Sequence, residues 1–433
     1  MKNNSHGVSL QKLIVYLFVA YLFLAFPFTL RSLNVQLYAY VLYLFTVFII
    51  LALSVSFKSG KIRNSIAPLK SNSLLLIFVL LYISFVVVLS LVSIINVNND
   101  NMRFLTVKFQ VLIYALFVFL LLDRSDYNRL MRYYLNLMVI LSLSGILLTL
   151  LIYLNKISPS TLLTLDSGGI RNAYLFGFTW PNSWIGDLHG LTRLQSFTDE
   201  AGTFAYCLLI AIVISYYKEK YFFFSIYSLA LLLTFSVGAL SAFFLWLIFF
   251  VMLSKMNVLK FVTAISIISI IILAIGNNEI YDYISLYFDA KVDYTNVNVE
   301  RSSLGDRVNA VGVVLQSIEN YPFGLGAAGV SEVGISVAVG WIIPLLQTGI
   351  VGWILYLLAF LFLLIKAIKA SNDLDSDKKA AAQILLILAY AAFQRSEMDG
   401  TFWHWFWISN FIKQFQHTLP LSFVKRQKVN HSY

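Results

Sequence analysis

Residues Arg301 to Gly329 read RSSLGDRVNAVGVVLQSIENYPFGLGAAG, a polar and glycine-rich interval in a sequence that is otherwise mostly apolar. Between Asp306 and Asn320 the apolar residues lie three to four positions apart, which predicts one face of an amphipathic helix. We expect this helix to lie along a helical bundle rather than to span it. The residues of the predicted face are Val308, Val311, Leu315 and Ile318.

Cations precede this helix and a turn follows it. Arg301 and Arg307 stand at its entrance. Proline and glycine after the helix predict a turn in which the backbone approaches a neighbour closely. Fixed cations beside backbone N–H groups suit an anion, so the interval is the first candidate site. The turn residues are Pro322, Gly324, Gly326 and Gly329.

The composition indicates a membrane protein. Of the 433 residues 59% are hydrophobic and 12% are charged, whereas soluble globular proteins have about 25% charged residues. The mean hydropathy is +0.79. The net charge of +10 would suggest nucleic acid in a soluble protein, but membrane proteins hold Lys and Arg in cytoplasmic loops, so we expect no nucleic acid. The single cysteine, Cys207, excludes an internal disulfide and is interpreted as a small core residue.

Apolar segments divide the whole chain. A helix needs roughly 20 residues to cross a bilayer, and on that rule we predict an all-α polytopic membrane protein of about twelve transmembrane helices, forming one integral membrane domain over residues 1–433. The run Tyr221–Leu253 reads as one tilted helix or as two helices with a turn at Ser236 and Gly238. The apolar cores are Leu13–Leu30, which we expect to be uncleaved, Val35–Phe57, Ser73–Ile95, Phe104–Leu122, Tyr134–Leu154, Ala201–Tyr217, Tyr221–Ser236, Ala239–Leu253, Phe261–Ile275, Trp341–Ile365, Ala380–Phe393 and Thr401–Ile412.

The basic residues are distributed unequally between the two predicted sides. With the N-terminus inside, 21 of the 31 Lys and Arg residues fall on the inner side and nine on the outer side, while Lys108 lies within a span. This bias predicts that both termini are cytoplasmic and that the long loops, 155–200 and 276–340, are on the outer side. Seven of the nine outer basic residues are Arg. Because the planar guanidinium suits bidentate phosphate recognition, we expect a phosphate group to be handled there.

The end of the first long loop carries a second group of candidate residues. Asp199 and Glu200 precede a predicted span, where they would stabilise the positive N-terminus of its helix. Alternatively, they act with Arg193 as a base and an anion clamp at the membrane edge. His404 is placed near the outer face, where histidine is more often an interface or core residue than a base.

Three other features of the sequence have ordinary structural interpretations. Gly324–Gly329 matches G-x-G-x-x-G, but no βαβ unit surrounds it, so we expect no dinucleotide. The acidic run 373–377 lies among lysines and predicts a solvated, self-neutralising loop rather than a metal site. Lys108 would cost about 2.5–3.5 kcal/mol at the membrane centre, so it should snorkel or find a partner, with contact to a ligand as the alternative.

Three short motifs occur in order along the chain: R-x3-F…A at Arg193, Phe197 and Ala205, R…P-x-G-x-G at Arg307, Pro322, Gly324 and Gly326, and G-x-x-G at Gly349 and Gly352. Together they resemble the motifs of the O-antigen polymerase and ligase superfamily. About twelve spans with two large outer loops look like the Wzy-type polysaccharide polymerases, and the resemblance covers nearly the whole chain. Two departures stand out: residues 276–340 contain no histidine, which disfavours the ligase branch, and Ser236 is followed by Val237 where Ser-Arg is often found.

The resemblance implies a glycosyltransferase with a GT-C-like helical fold in the bacterial cytoplasmic (inner) membrane. Such an enzyme moves a growing glycan from one undecaprenyl diphosphate carrier onto another lipid-linked repeat unit and makes O-antigen, capsule or another exopolysaccharide. Its expected partners are the lipid-linked oligosaccharide, membrane lipid, a chain-length regulator and a flippase.

The residues suggest how such a transfer would be assisted. Displacing a diphosphate creates negative charge on the leaving group, which preorganised cations stabilise. We expect Arg193, Arg301 and Arg307 to clamp the diphosphate without a metal or another cofactor, and Glu200, or less readily Asp199 or His404, to take the acceptor proton. The alternatives are an O-antigen ligase and a flippase or transporter of the same lipid-linked sugars.

Overall fold

The computed structural model describes residues 69, 72–96, 99–154, 161–164, 170–173, 194, 201–248, 303–329, 333, 339–371, 373, 375–394, 398 and 401–415. These residues are almost entirely α-helical. The helices are α1 (Ser73–Ile95), α2 (Asn99–Leu121), α3 (Arg124–Tyr153), α4 (Ala201–Tyr217), α5 (Tyr221–Leu233), α6 (Val237–Trp246), α7 (Ser303–Asn320), α8 (Ile343–Ala370), α9 (Ser376–Gln394) and α10 (Phe402–Lys413). Strands β1 (Thr161–Thr164) and β2 (Ile170–Ala173) pair antiparallel, with Thr161 opposite Ala173. The predicted spans Leu13–Leu30, Val35–Phe57 and Phe261–Ile275 lie outside the described residues.

The helix boundaries follow the predicted apolar cores. Helices α1 and α4 have the predicted bounds, and α7 covers the predicted amphipathic segment. The ambiguous run from Tyr221 forms two helices, because a turn at Thr234 and Phe235 separates α5 from α6. Phe235 has a φ of 47°, and Ser236 is the N-cap of α6, so the predicted break is confirmed, although Gly238 lies inside the helix.

Of the helices that the structure describes, four are long and apolar enough to cross a membrane: α1, α2, α3 and α8. Helix α1 shows why such a helix is suited to a membrane. One face packs inside the protein through Phe78, Tyr82 and Phe85, three to four residues apart. The opposite face is equally apolar, yet Leu80 and Ile83 are 56% and 54% exposed. A helix that is apolar on its uncovered face suits hydrocarbon rather than water, which agrees with the composition of a membrane protein.

The described helices pack around two large hydrophobic cores. In the first, α4 is surrounded by α3, α5, α6 and α9, and every residue from Phe204 to Ile214 is buried. In the second, α1 packs antiparallel against α8, with the rings of Phe78 and Phe360 5.7 Å apart, edge to face. Helices α2, α9 and α10 contribute side chains to both cores and therefore join the two halves.

Two ends of this bundle differ in chemistry. We call one the charged end: the α2–α3, α4–α5 and α8–α9 connections and the end of α10 meet there through ion pairs and hydrogen bonds. We call the other the glycine end: there the α1–α2 connection meets the start of α8 and the turn Pro322–Gly329, named the glycine turn below. Connections predicted to lie on one side of the membrane thus lie at one end of the described bundle.

Candidate functional site

The glycine turn is inserted into a break in helix α8. Gly349 has φ 66° and ψ −169°, so the helical hydrogen bonding is interrupted there. The turn supplies replacement partners: Leu325 N donates to Leu346 O at 2.9 Å, and Gly326 N donates to Gln347 O at 2.9 Å. In the other direction, Ile350 N donates to Pro322 O at 3.4 Å. The turn therefore satisfies the backbone groups that the break exposes, as buried backbone requires.

Glycine is required at three positions of this crossing. A Cβ on Gly349 would lie 2.1 Å from Pro322 O, and one on Gly324 would lie 2.6 Å from Gln347 O. A Cβ on Gly326 would lie 2.6 Å from Asn101 Oδ1. All three glycines also have positive φ, which disfavours any side chain. The expectation that the turn permits close approach is confirmed, and the neighbour that it approaches is helix α8 itself.

Polar side chains from α1 and α2 fix the other side of the glycine turn. Asn101 is fully buried; its Nδ2 donates to Leu325 O at 2.9 Å, and its Oδ1 accepts from Ala328 N at 2.7 Å. Asn96 Nδ2 donates to Gly324 O at 3.2 Å, and Ser93 Oγ accepts from Ala327 N at 3.0 Å. Polar residues at the glycine end of the two apolar helices α1 and α2 thus bind the turn through its backbone.

These contacts correct one expectation about the turn. The backbone N–H groups from Gly324 to Gly329 all donate to protein atoms, including Gly324 N to Tyr321 O at 2.9 Å and Gly329 N to Gly326 O at 3.0 Å. The proposal that these N–H groups bind an anion is therefore wrong for the conformation described. Two of these donors bind carbonyl groups at the break in α8, two bind side chains of α1 and α2, and two bind nearby carbonyl groups of the same segment, so none remains for a ligand.

Lys108 extends the polar cluster into helix α2. Its Nζ donates to Gln347 Oε1 at 3.3 Å and lies 5.6 Å from the centre of the Phe85 ring. Gln347 Nε2 in turn donates to Ala327 O at 3.2 Å. The prediction that Lys108 finds a partner is confirmed. This arrangement places the Lys108 cation beside the glycine turn. Its partner, Gln347, lies in the short helical segment that precedes Gly349.

Helix α7 packs on the glycine turn through a small separate core. Val314 is buried together with Leu325, Ile342 and Leu346. The predicted apolar face was partly wrong, because Leu315 is 55% exposed while Val314 is 3% exposed. The buried face is therefore rotated by about one residue from the predicted one, and Val311 and Ile318 flank it.

The other predicted site residues fall into two groups. Arg307 lies in the second turn of α7, where only the backbone is described. His404 is 6% exposed at the start of α10, and its Nδ1 lies 3.1 Å from Thr401 Oγ1, the N-cap of that helix. The remaining ones lie outside the described residues: Arg193, Asp199, Glu200 and Arg301.

The acidic run holds the charged end together. Each of its three carboxylates has a basic partner, but two of those partners come from other connections of the bundle. The run is therefore neutralised partly from outside itself, which the expectation of a self-neutralising loop did not include. The pairs are Asp373 with Lys378 at 3.3 Å, Asp375 with Arg124, and Asp377 with Lys218. In the part of the chain that the structure describes, no three His, Cys, Asp or Glu side chains could hold a metal ion together.

Sequence reasoning missed the residues that surround the glycine turn and the β1–β2 pairing within loop 155–200. Asn101 and Gln347 were available as signals, since each is a polar residue beside an apolar helical run. Burying such a side chain is costly unless it is hydrogen-bonded, which points to a specific contact. Comparison with known proteins adds no assignment, because neither a protein-family model nor a curated protein matches the chain.

Proposed function

We propose that this chain polymerises undecaprenyl-diphosphate-linked oligosaccharide repeat units by glycosyl transfer at the outer face of the bacterial cytoplasmic membrane. On this proposal the fold is GT-C-like, with about twelve spans, both termini in the cytoplasm and the glycine end outside. The product is O-antigen, capsule or another exopolysaccharide.

One observation supports this proposal most directly: the glycine turn fits into the break of α8 at Gly349. The R…P-x-G-x-G and G-x-x-G motifs, which carry the family resemblance, are therefore two sides of one contact rather than two unrelated matches. The helix that leads into this contact, α7, carries Arg307. A cation on a helix that ends in a fixed turn is suited to preorganised binding of a leaving group.

The proposed chemistry forms one glycosidic bond and breaks one bond between a sugar and a diphosphate. The acceptor hydroxyl attacks the anomeric carbon of the growing glycan and loses its proton to Glu200, with Asp199 and His404 as the alternative bases. The bond from that carbon to the diphosphate oxygen breaks, and the undecaprenyl diphosphate leaves with the electron pair. Arg193, Arg301 and Arg307 stabilise its charge.

The direct test uses the lipid-linked repeat unit that accumulates when the gene is deleted from the bacterium that encodes it. Purified chain in liposomes is incubated with this unit, and the products are separated on a gel. A ladder of lengths is expected. A single unchanged band would overturn the proposal, while transfer of the unit across the bilayer without a ladder would favour a flippase. Attachment to an added lipid A core without a ladder would favour an O-antigen ligase.

Two substitutions test the assigned roles. Arg307→Lys keeps the charge but removes the planar fork, so we expect shorter polymer and turnover reduced by about tenfold or more. Glu319→Gln, at the exposed end of the same helix, is the matched control and should keep the full length. Glu200→Gln should abolish turnover with substrate binding retained, and full activity in that variant would exclude Glu200 as the base.

A further inference from the structure

One buried side chain of α2 contributes two of the hydrogen bonds that hold the glycine turn in place. Asn101 is the only described side chain that bonds the turn at two separate points, Leu325 O and Ala328 N. A third bond, from its Nδ2 to Asn96 O at 2.9 Å, ties it to the end of α1. Its amide thus uses both donor and acceptor groups, and a side chain of different polarity cannot reproduce the set.

The contact with Asn101 also affects helix α7, through Leu325. Leu325, whose carbonyl accepts from Asn101, is buried in the small core that includes Val314 of α7. Few residues separate the end of α7 from Leu325, and their backbone is hydrogen-bonded, because Tyr321 N donates to Ser317 O and Gly324 N donates to Tyr321 O. The C-terminal half of α7 is consequently fixed both through the backbone and through this core.

A small rotation at that point has a large effect at the far end of the helix. Arg307 precedes Asn320 by thirteen residues, which at about 1.5 Å per residue places it about 20 Å from the anchored end. A tilt of roughly 10° about the glycine turn would therefore move Arg307 by about 3 Å. Displacements of about 1 Å can reduce catalytic rates on the order of a hundredfold.

We propose that Asn101 is a positioning residue, which holds the glycine turn and through it sets the location of Arg307. This inference rests on the proposed function for the role of Arg307, but the local part does not. Asn101 touches neither the substrate nor the reacting atoms. Its loss should lower kcat more than it raises KM, because the displaced Arg307 acts mainly on the charge that develops on the leaving group in the transition state.

The matched comparison is Asn101→Ala against Asn410→Ala. Asn410 is also fully buried and hydrogen-bonded, but it lies in α10 and bonds Gln414 at the charged end. Both variants remove the same amide from the interior, so a general loss of stability should affect both. A third variant, Asn101→Asp, keeps the acceptor for Ala328 N but places a carboxylate against Leu325 O and Asn96 O.

Two readouts separate the local contact from its consequence. The first is hydrogen exchange of the purified chains, read for the peptide that covers Leu325–Ala328. We expect faster exchange of this peptide in Asn101→Ala and Asn101→Asp, with α4 unchanged, and no change in Asn410→Ala. The second is the polymerisation assay, in which Asn101→Ala should lower kcat at least about tenfold while Asn410→Ala stays within about twofold.

The outcomes are distinguishable. Equal exchange in Asn101→Ala and the unaltered chain would overturn the anchoring of the turn. Faster exchange with unchanged kcat would overturn the positioning role and leave the proposed function standing. If the unaltered chain makes no polymer, the proposed function fails and the positioning role with it, while the exchange data still decide whether Asn101 anchors the turn.

Discussion

At the scale of single residues, backbone space decides which positions of the glycine crossing tolerate a side chain. Gly349→Ala would place a methyl group on Pro322 O at a position with positive φ. We expect the free energy of unfolding to fall by about 3 kcal/mol, from overpacking together with the left-handed backbone. The measurement is the thermal midpoint of the purified chain in detergent.

Gly312→Ala provides the control for that substitution. Gly312 lies in α7, and nothing is within 4 Å of a Cβ built on it. Alanine should therefore stabilise the helix by about 0.5–1 kcal/mol. Equal midpoints for the two variants would show that α8 is not broken at Gly349 as described.

Lys413 is a second residue whose environment leads to a prediction. The side chain is fully buried at the end of α10, and its Nζ lies 4.5 Å from the centre of the Phe119 ring. No hydrogen-bond partner for this Nζ is found among the described residues. A buried ammonium group without such a partner is unfavourable, so Lys413→Met should raise the free energy of unfolding by about 1 kcal/mol.

The control is Lys369→Met, which removes a lysine from the exposed end of α8 and should change the free energy by less than about 0.5 kcal/mol. Thermal unfolding of both variants at one pH makes the comparison. A lower midpoint for Lys413→Met than for Lys369→Met would mean that the ammonium stabilises the nearby carboxylates of Asp123 and Asp126.

At the scale of elements, the charged end makes the packing of several helices depend on pH. Burial alone would raise the pKa of Asp375, but hydrogen bonding and the charge of Arg124 hold that pKa below its ordinary value. The hydrogen bond from Asp375 N likewise lowers the pKa of Asp373. Groups with lowered pKa stabilise the fold above their ordinary pKa, near 3.9, and this contribution is lost as the pH falls through the folded value.

We therefore expect the thermal midpoint to fall as the pH is lowered below about 5, and Asp375→Asn to reduce that dependence. At pH 7 the same substitution should cost about 1 kcal/mol, because the pair with Arg124 is partly exposed and screened. Asp100→Asn, in the first turn of α2 at the glycine end, is the control. An unchanged pH profile in Asp375→Asn would contradict the assigned role of the ion pair.

The elements also show what the sequence could and could not predict. Apolar runs such as Ser73–Ile95 define helices on their own, because length and continuity determine them. The glycine turn was predicted as a close approach, since glycines such as Gly324 and Gly326 are favoured where the chain turns with positive φ or where backbones come close together. That Gly349 is its counterpart was not predictable, because this contact joins residues whose pairing only the tertiary packing decides. The same limit applies to Asn101, which lies more than 220 residues from the carbonyl that it binds.

At the scale of the whole molecule, the two ends of the bundle should face opposite sides of the membrane. Among the described residues, ion pairs gather at one end and the glycine turn lies at the other, and four of the described helices are long enough to cross a bilayer. Positive residues such as Lys218 and Lys220 favour the charged end as the cytoplasmic one. The prediction is that a probe confined to the outside reaches the glycine end only.

Single cysteines make that prediction measurable. Cys207 is the only cysteine of the chain and is buried in α4, so Cys207→Ala gives a background without thiols at little cost. On this background, Glu319→Cys marks the exposed end of α7 beside the glycine turn, and Lys220→Cys marks the α4–α5 connection at the charged end. In intact spheroplasts a membrane-impermeant maleimide should label the chain carrying Glu319→Cys, and it should label the one carrying Lys220→Cys only after permeabilisation. The reverse pattern would place the glycine turn in the cytoplasm, which would contradict polymerisation on the outer face of the membrane. Labelling of both chains before permeabilisation would mean that the described helices do not span the bilayer between the two ends.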